Sequence, residues 1–135
     1  MSRRSRAREI ALQVLYQTDL NPDRQGAQDE AFVRARLANH DELVAFAMSL
    51  VAGVMRNRDE LDEMLEARSA NWSLDRMAAT DRNVLRMGAF ELLYTETPDR
   101  VAINEAVELS RRFGSAQSSQ FVNGLLDRLL KDKKS

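Results

Sequence analysis

The chain has no cysteine, so neither a disulfide framework nor a thiolate metal site is available to it, and nothing in it points to an oxidising compartment; a cytoplasmic location is the expectation. It has one histidine, His40, which leaves an imidazole-based catalytic or metal constellation without partners. Beside a predicted helix start, His40 reads as a capping or solvated residue. Only 5 glycines and 2 prolines punctuate the 135 residues, and no glycine-rich phosphate loop or dinucleotide fingerprint occurs. Long apolar runs are missing too. The basic start, Met1 to Arg8, is followed by hydrophobics interrupted at Glu9, Gln13, Gln17 and Asp19, which argues against a signal peptide or a membrane span. Together these gaps speak against an enzyme, and no cofactor, metal or membrane partner is expected.

What is present favours helices. Hydrophobic residues make up 44% and charged residues 30%, the balance of a helical globular protein, and the length suits a single compact domain over residues 1–135. Ala7, Ile10, Ala11, Val14 and Leu15 recur at steps of three and four, which predicts an amphipathic helix over 5–16. Asn21-Pro22-Asp23 and Gly26 supply a loop, and a weakly patterned helix is expected from about Asp29 to Leu37. Leu43 through Met55 is apolar around most of a helix ending near Asn57. Leu61, Met64 and Leu65 form a shorter stripe, followed by a break at Ser69-Ala70-Asn71-Trp72-Ser73 and a short turn at Ser73. Thr80 is the expected cap of a strongly apolar helix through Leu93, in which Gly88 predicts close approach of a neighbour. Val101, Ile103, Ala106, Val107 and Phe113 mark the next inward face, with Gly114 as its stop. Phe121 to Leu130 carries the last, fraying at Lys131 to Lys134. No alternating strand and no repeat is visible, so the expected class is all-α with about seven helices.

Net charge is only -1, but it is unevenly spread: Arg3, Arg4, Arg6 and Arg8 fall in the first eight residues with no acid among them. Arginine presents a planar fork of donors that grips phosphate and stacks on bases, so the cluster suits RNA; on composition alone it is equally a solvated terminus. Gln13 and Tyr16 follow on the same predicted helix and could hydrogen-bond and stack on an unpaired base, although a core role for Tyr16 is as good a reading. Gln117 and Ser118 lead into Phe121, which fits the core stripe of the last helix better than a ligand site.

Four stretches resemble the NusB family. They are Ala7-Arg8-Glu9-Ile10-Ala11-Leu12-Gln13-Val14-Leu15-Tyr16; Val84-Leu85-Arg86-Met87-Gly88-Ala89-Phe90-Glu91-Leu92; Val101-Ala102-Ile103-Asn104-Glu105-Ala106-Val107-Glu108-Leu109; and Phe113-Gly114 followed by Phe121-Val122-Asn123-Gly124-Leu125-Leu126-Asp127. The resemblance implies two small helical subdomains packed together. It implies a transcription antitermination factor that binds boxA RNA of ribosomal RNA operon transcripts together with NusE, a small-subunit ribosomal protein, within the RNA polymerase elongation complex. Some members form homodimers, so a second copy is a candidate partner. By the same resemblance Arg3, Arg4, Arg6 and Arg8 match the arginine-rich motif and Tyr16 an aromatic near the RNA path, while Asp75 and Asp81 match acidic positions facing NusE. Gln117 and Gln120 depart from the acidic residue and the lysine common there. The fold also resembles the N-terminal RNA-binding domain of certain ribosomal RNA cytosine methyltransferases, a reading that would require this chain to be a fragment.

Overall fold

The computed structural model describes residues 2–70 and 73–134 and, among them, contains helices and no strand. Seven α-helices follow in order: α1 (Arg3–Leu20), α2 (Asp29–Arg36), α3 (Asp41–Arg56), α4 (Arg58–Arg68), α5 (Ala79–Tyr94), α6 (Asp99–Phe113) and α7 (Ser118–Lys134). Short 3₁₀ turns at Gly26–Gln28 and Leu74–Arg76 precede α2 and α5. Asn71 and Trp72 of the expected break, and Met1 of the basic tract, lie outside the described residues. No helix among the described residues is long and apolar enough to cross a membrane.

Helices α1, α2 and α3 pack on one another, α7 packs on both α4 and α6, and α5 contacts both groups. The reason lies in its sequence: from Asn83 through Leu92 every residue of α5 is buried, so this helix has no solvent stripe over its middle turns. Its apolar residues point all round the helix, and the polar ones between them, Asn83, Arg86 and Glu91, find partners inside the fold. The others show a face each, such as Ala7, Ile10, Ala11, Val14 and Leu15 on α1 and Val122, Leu125, Leu126, Leu129 and Leu130 on α7. The buried side chains of both groups form one continuous cluster.

Glycines set two close approaches. A Cβ on Gly88 would lie 2.9 Å from Leu126 Cδ1 and 3.0 Å from Ala106 Cβ, so α5, α6 and α7 meet there as expected. The second was not anticipated: a Cβ on Gly53 of α3 would fall 2.0 Å from Cζ of Phe90 on α5, inside the ring's own volume.

Several local expectations need correction. Helix α1 begins at Arg3, with the Ser2 side chain accepting from the Ser5 N–H, so the arginines lie within its first turns and not ahead of them. Helix α5 begins at Ala79 and has no side-chain cap; Thr80 is already inside its first turn. The start is held instead by Arg82, whose guanidinium donates to the carbonyls of Leu74 and Met77 at 3.0 and 3.2 Å and ties the preceding turn to the helix. Val101 and Phe113 are 42% and 43% exposed, because the inward stripe of α6 is Ala102, Ile103, Ala106, Leu109 and Ser110. The C-terminal lysines do not fray: Lys133 Nζ donates to the Leu92 carbonyl at 2.6 Å and pairs with Asp99 at 2.9 Å, keeping α7 helical through Lys134.

Gly53→Ala should lower stability by about 1 to 2 kcal/mol, because displacing the Phe90 ring outweighs the roughly 1 kcal/mol gained in helix propensity. Urea unfolding measures it, and adding Phe90→Leu should restore part of the loss. An alanine variant as stable as the parent would mean that the two helices can separate freely.

Candidate nucleic-acid and partner interface

The arginine-rich start of α1 divides by burial. Arg3 and Arg4 are exposed and Arg6 is partly so, whereas Arg8 is only 3% exposed. Its Nε donates to Glu91 Oε1 at 2.6 Å and its Nη2 to Oε2 at 2.9 Å, a bidentate pair across α1 and α5. Glu105 of α6 stands 3.5 Å from the same guanidinium, and Thr97 donates to Glu91 at 2.9 Å. The expectation that Arg8 presents its guanidinium to RNA is therefore corrected. With both faces of its fork occupied by carboxylates, it holds the helix that carries the other arginines. Ser5, one turn back, donates to Glu105 at 2.5 Å and fixes the same turn.

Arg4 lies over the Phe46 ring of α3, 4.4 Å from its centroid, in a groove that it shares with Arg8 and Glu105. Arg6 pairs with Glu9 at 2.9 Å, and Glu9 also receives Arg112 at 3.1 Å. Farther along α1, Tyr16 is 39% exposed, which decides against a core role. With Gln13, Gln17, Glu9, Thr80 and Phe113 it lines a cleft of about 380 Å³. Phe113 was assigned to the core by its place at the end of an apolar stripe; the signal that could have exposed it was the pair Arg111-Arg112 just before, which belongs to a solvated last turn.

A second cleft, of about 250 Å³, lies beside the first: Thr80 faces one and Asp81 the other. Here Asp81 from the start of α5 and Arg76 from the 3₁₀ turn before it meet Gln117, just ahead of α7, and Ser118 and Phe121 from its first turn. Asp81 Oδ1 is buried without a hydrogen-bond partner among the described residues, an unfilled acceptor at the cleft wall. Ser118 is 2% exposed and its hydroxyl accepts from the Ser115 N–H at 2.8 Å, so it closes the turn into α7 and is not free to meet RNA. Gly114 is required beneath it, since a Cβ there would lie 2.5 Å from Ser118 Oγ. Phe121 is half-buried, packing on the core and facing the cleft at once. Asp75 is exposed in the 3₁₀ turn and does not line the cleft.

The opposite end of α1 is anchored by charge as well. Asp19 receives Arg82 at 2.7 Å and Asn83 at 2.9 Å, with Arg86 at 3.4 Å and Arg58 at 3.3 Å. Burial pushes its carboxyl upward, but the hydrogen bonds from Arg82 and Asn83 and the charge of Arg86 outweigh this and hold it below the ordinary aspartate value of 3.8.

The sequence pattern of the NusB family matches residues 5–131. The chain belongs to the NusB family. It is 49% identical over 130 residues to the transcription antitermination protein NusB of Anaeromyxobacter dehalogenans, covering 95% of this chain and 90% of that one. Among solved structures, Thermotoga maritima NusB superposes with a TM-score of 0.85 at 32% identity, covering 98% and 92% of the two chains. A chain of the crystal structure of antitermination factors NusB and NusE in complex with dsRNA gives a TM-score of 0.86 at 28% identity and covers 98% of each. The two groups of helices sharing α5 are thus the NusB architecture.

Two outcomes test this construction. Arg8→Ala should cost about 3 to 5 kcal/mol, because Glu91 is left buried without its cation, whereas Arg3→Ala should leave stability nearly unchanged; equal effects in thermal unfolding would contradict the buried pair. Because the Asp19 pKa is lower folded than unfolded, its stabilisation is complete above the unfolded value and is lost as pH falls through the folded one. The stability gap between the parent and Asp19→Asn should therefore be constant from pH 7 to about 5 and close below 3.8. A gap that is still full at the foot of the acid limb would mean that Asp19 is not bound as a carboxylate.

Proposed function

We propose that this chain is a non-enzymatic antitermination factor, one NusB-like RNA-binding domain over residues 1–135. In this reading it binds boxA RNA of ribosomal RNA operon transcripts together with NusE and supports processive elongation by RNA polymerase. The observation that carries the reading is that α1 presents unburied Arg3, Arg4 and Arg6 in its first turns and leads along the same helix to Gln13 and exposed Tyr16. The arginines hold backbone phosphates, Tyr16 stacks on an unpaired base, and Gln13 reads a base edge. Arg8 acts by positioning this turn.

The second cleft supports joint binding. Asp81, assigned to the NusE side, shares one cleft with Gln117 and Phe121, assigned to RNA, so a protein and an RNA arriving there would touch the same walls. Asp75 extends the partner face, and Ser118 contributes by shaping the turn. The complex of NusB and NusE with dsRNA formed by a structural relative is consistent with such a pairing. The family's homodimers keep a second copy as an alternative partner when NusE is absent.

The test is a titration of boxA-like RNA with and without NusE. Affinity should rise by about 5- to 150-fold with NusE present, the usual range for linked sites. Arg3, Arg4 and Arg6 together should contribute about -2 to the slope of log affinity against log salt, and replacing Arg4 and Arg6 by alanine should flatten it by about 1.4. Tyr16→Ala should cost about 1 to 3 kcal/mol of binding with the slope unchanged. No binding to any RNA, with or without NusE, would leave only a helical protein-interaction module.

A further inference from the structure

The N-terminal turns of α1 face two ways. Arg4 turns toward Phe46 on α3, whereas Arg3 and Arg6 face the turn that joins α2 to α3. Between them and that turn runs a groove of about 490 Å³ whose far bank carries Arg36 and His40 over the apolar Leu37 and Leu43. No carboxylate among the described residues lines it. This is unusual for the chain, in which Arg8, Arg24, Arg34, Arg58, Arg82 and Arg86 are each paired with an acid. Arg3 and Arg36 have no such partner among the described residues.

We propose that this groove is a second phosphate-holding site, in which Arg36 and His40 grip the RNA backbone from the bank opposite Arg3 and Arg6. The inference rests on the RNA-binding reading of α1 and extends it to residues about thirty positions away in sequence. Arg36 is prepared for the role: its guanidinium lies 4.9 Å from the Phe32 ring centroid, which fixes the plane and leaves its N–H edges for a ligand. His40 is oriented by its own helix, because Nδ1 accepts from the Leu43 N–H at a long 3.4 Å. The neutral ring then carries its proton on Nε2, a donor free for a phosphate oxygen.

The bank is held in place by an unfavourable turn. Ala38 and Asn39 have φ of 53° and 58°, left-handed values that an alanine adopts at a cost of roughly 1 to 2 kcal/mol. Asn39 N–H donates to the Arg34 carbonyl at 2.9 Å and His40 N–H to Leu37 at 3.1 Å, which closes the reversal and puts Arg36 and His40 on one groove. The acids nearest in sequence do not cancel the charge: Asp41 is held by Arg34 at 2.8 Å, and Glu9 is shared by Arg6 and Arg112. Glu42 in the first turn of α3 is exposed and lies outside the groove lining.

The experiment measures affinity of the full chain for a short single-stranded boxA-like RNA and for a scrambled one across a salt series. Arg36→Ala with His40→Asn, which keeps a capping side chain at the start of α3, should flatten the salt slope by about 0.7 units on both RNAs alike, all of it from Arg36, because the neutral His40 donor releases no counterion and phosphate contacts carry no sequence information. Should that double variant unfold, Arg36→Gln alone, which keeps the side-chain length, should still flatten it by about 0.7. An unchanged slope in these variants beside a flattened one in Arg3→Ala with Arg6→Ala would overturn the second bank and leave the RNA reading intact. Unchanged slopes in all of them would overturn both.

Discussion

The bidentate pair of Arg8 with Glu91 is the contact on which the geometry of this molecule turns. Both side chains are almost wholly buried, and every other donor or acceptor around them, from Thr97, Glu105 and Ser5, is drawn into the same knot. A buried ion pair is often no more stabilising than an apolar substitute, but it tolerates only one arrangement of the elements that supply it. Here those elements are the first turns of α1, the last turns of α5 and the start of α6. The direction in which Arg3, Arg4 and Arg6 leave the fold is set by a fourth arginine that does not leave it.

Asp19 repeats the device at the other end of α1. Its carboxylate gathers Arg82, Asn83 and Arg86 from α5 and Arg58 from α4, so α1 is clamped to α5 by opposite charges about three turns apart. At one clamp α1 supplies the cation; at the other it supplies the anion. A helix sliding by one turn along α5 would break both. Between the clamps, contact is apolar, with Ile10, Ala11, Val14 and Leu15 in the core. Arg6, Gln13 and Tyr16, the side chains of this stretch of α1 that reach solvent, are therefore held in register with the start of α5.

The helices were legible in the sequence because their apolar spacing is regular, and the residues missed were those whose role depends on partners far along the chain. Arg8 looks like its neighbours in a basic tract; only Glu91, eighty-three positions later, distinguishes it. Gly53 gave no warning because its obstacle, the Phe90 ring, lies on another helix. Thr80 had the chemistry of a cap, yet the start of α5 is set by Arg82 reaching back to two carbonyls. Tyr16 and Phe113 could not be separated from core aromatics by periodicity alone, since both fall on or beside an apolar stripe. The inward turn of the Ser118 hydroxyl, which accepts from the Ser115 N–H, depends on the loop geometry and not on its residue type.

Net charge is a poor guide to what such a protein binds, and this chain shows why. At -1 it would seem indifferent to nucleic acid. Many of its acids, however, are matched to cations within the fold: Asp19, Asp62, Glu9, Glu91 and Glu105 neutralise arginines between helices, and Asp41 and Asp99 pair with Arg34 and Lys133. Such pairs leave the sum at -1, but they change its distribution: Arg3 and Arg36, which no acid among the described residues neutralises, face the same groove. A phosphate chain samples this local charge, because screening in ordinary salt hides charges much beyond about 8 Å. Internal pairing therefore does two things at once, locking the helices and unmasking the arginines that were not used.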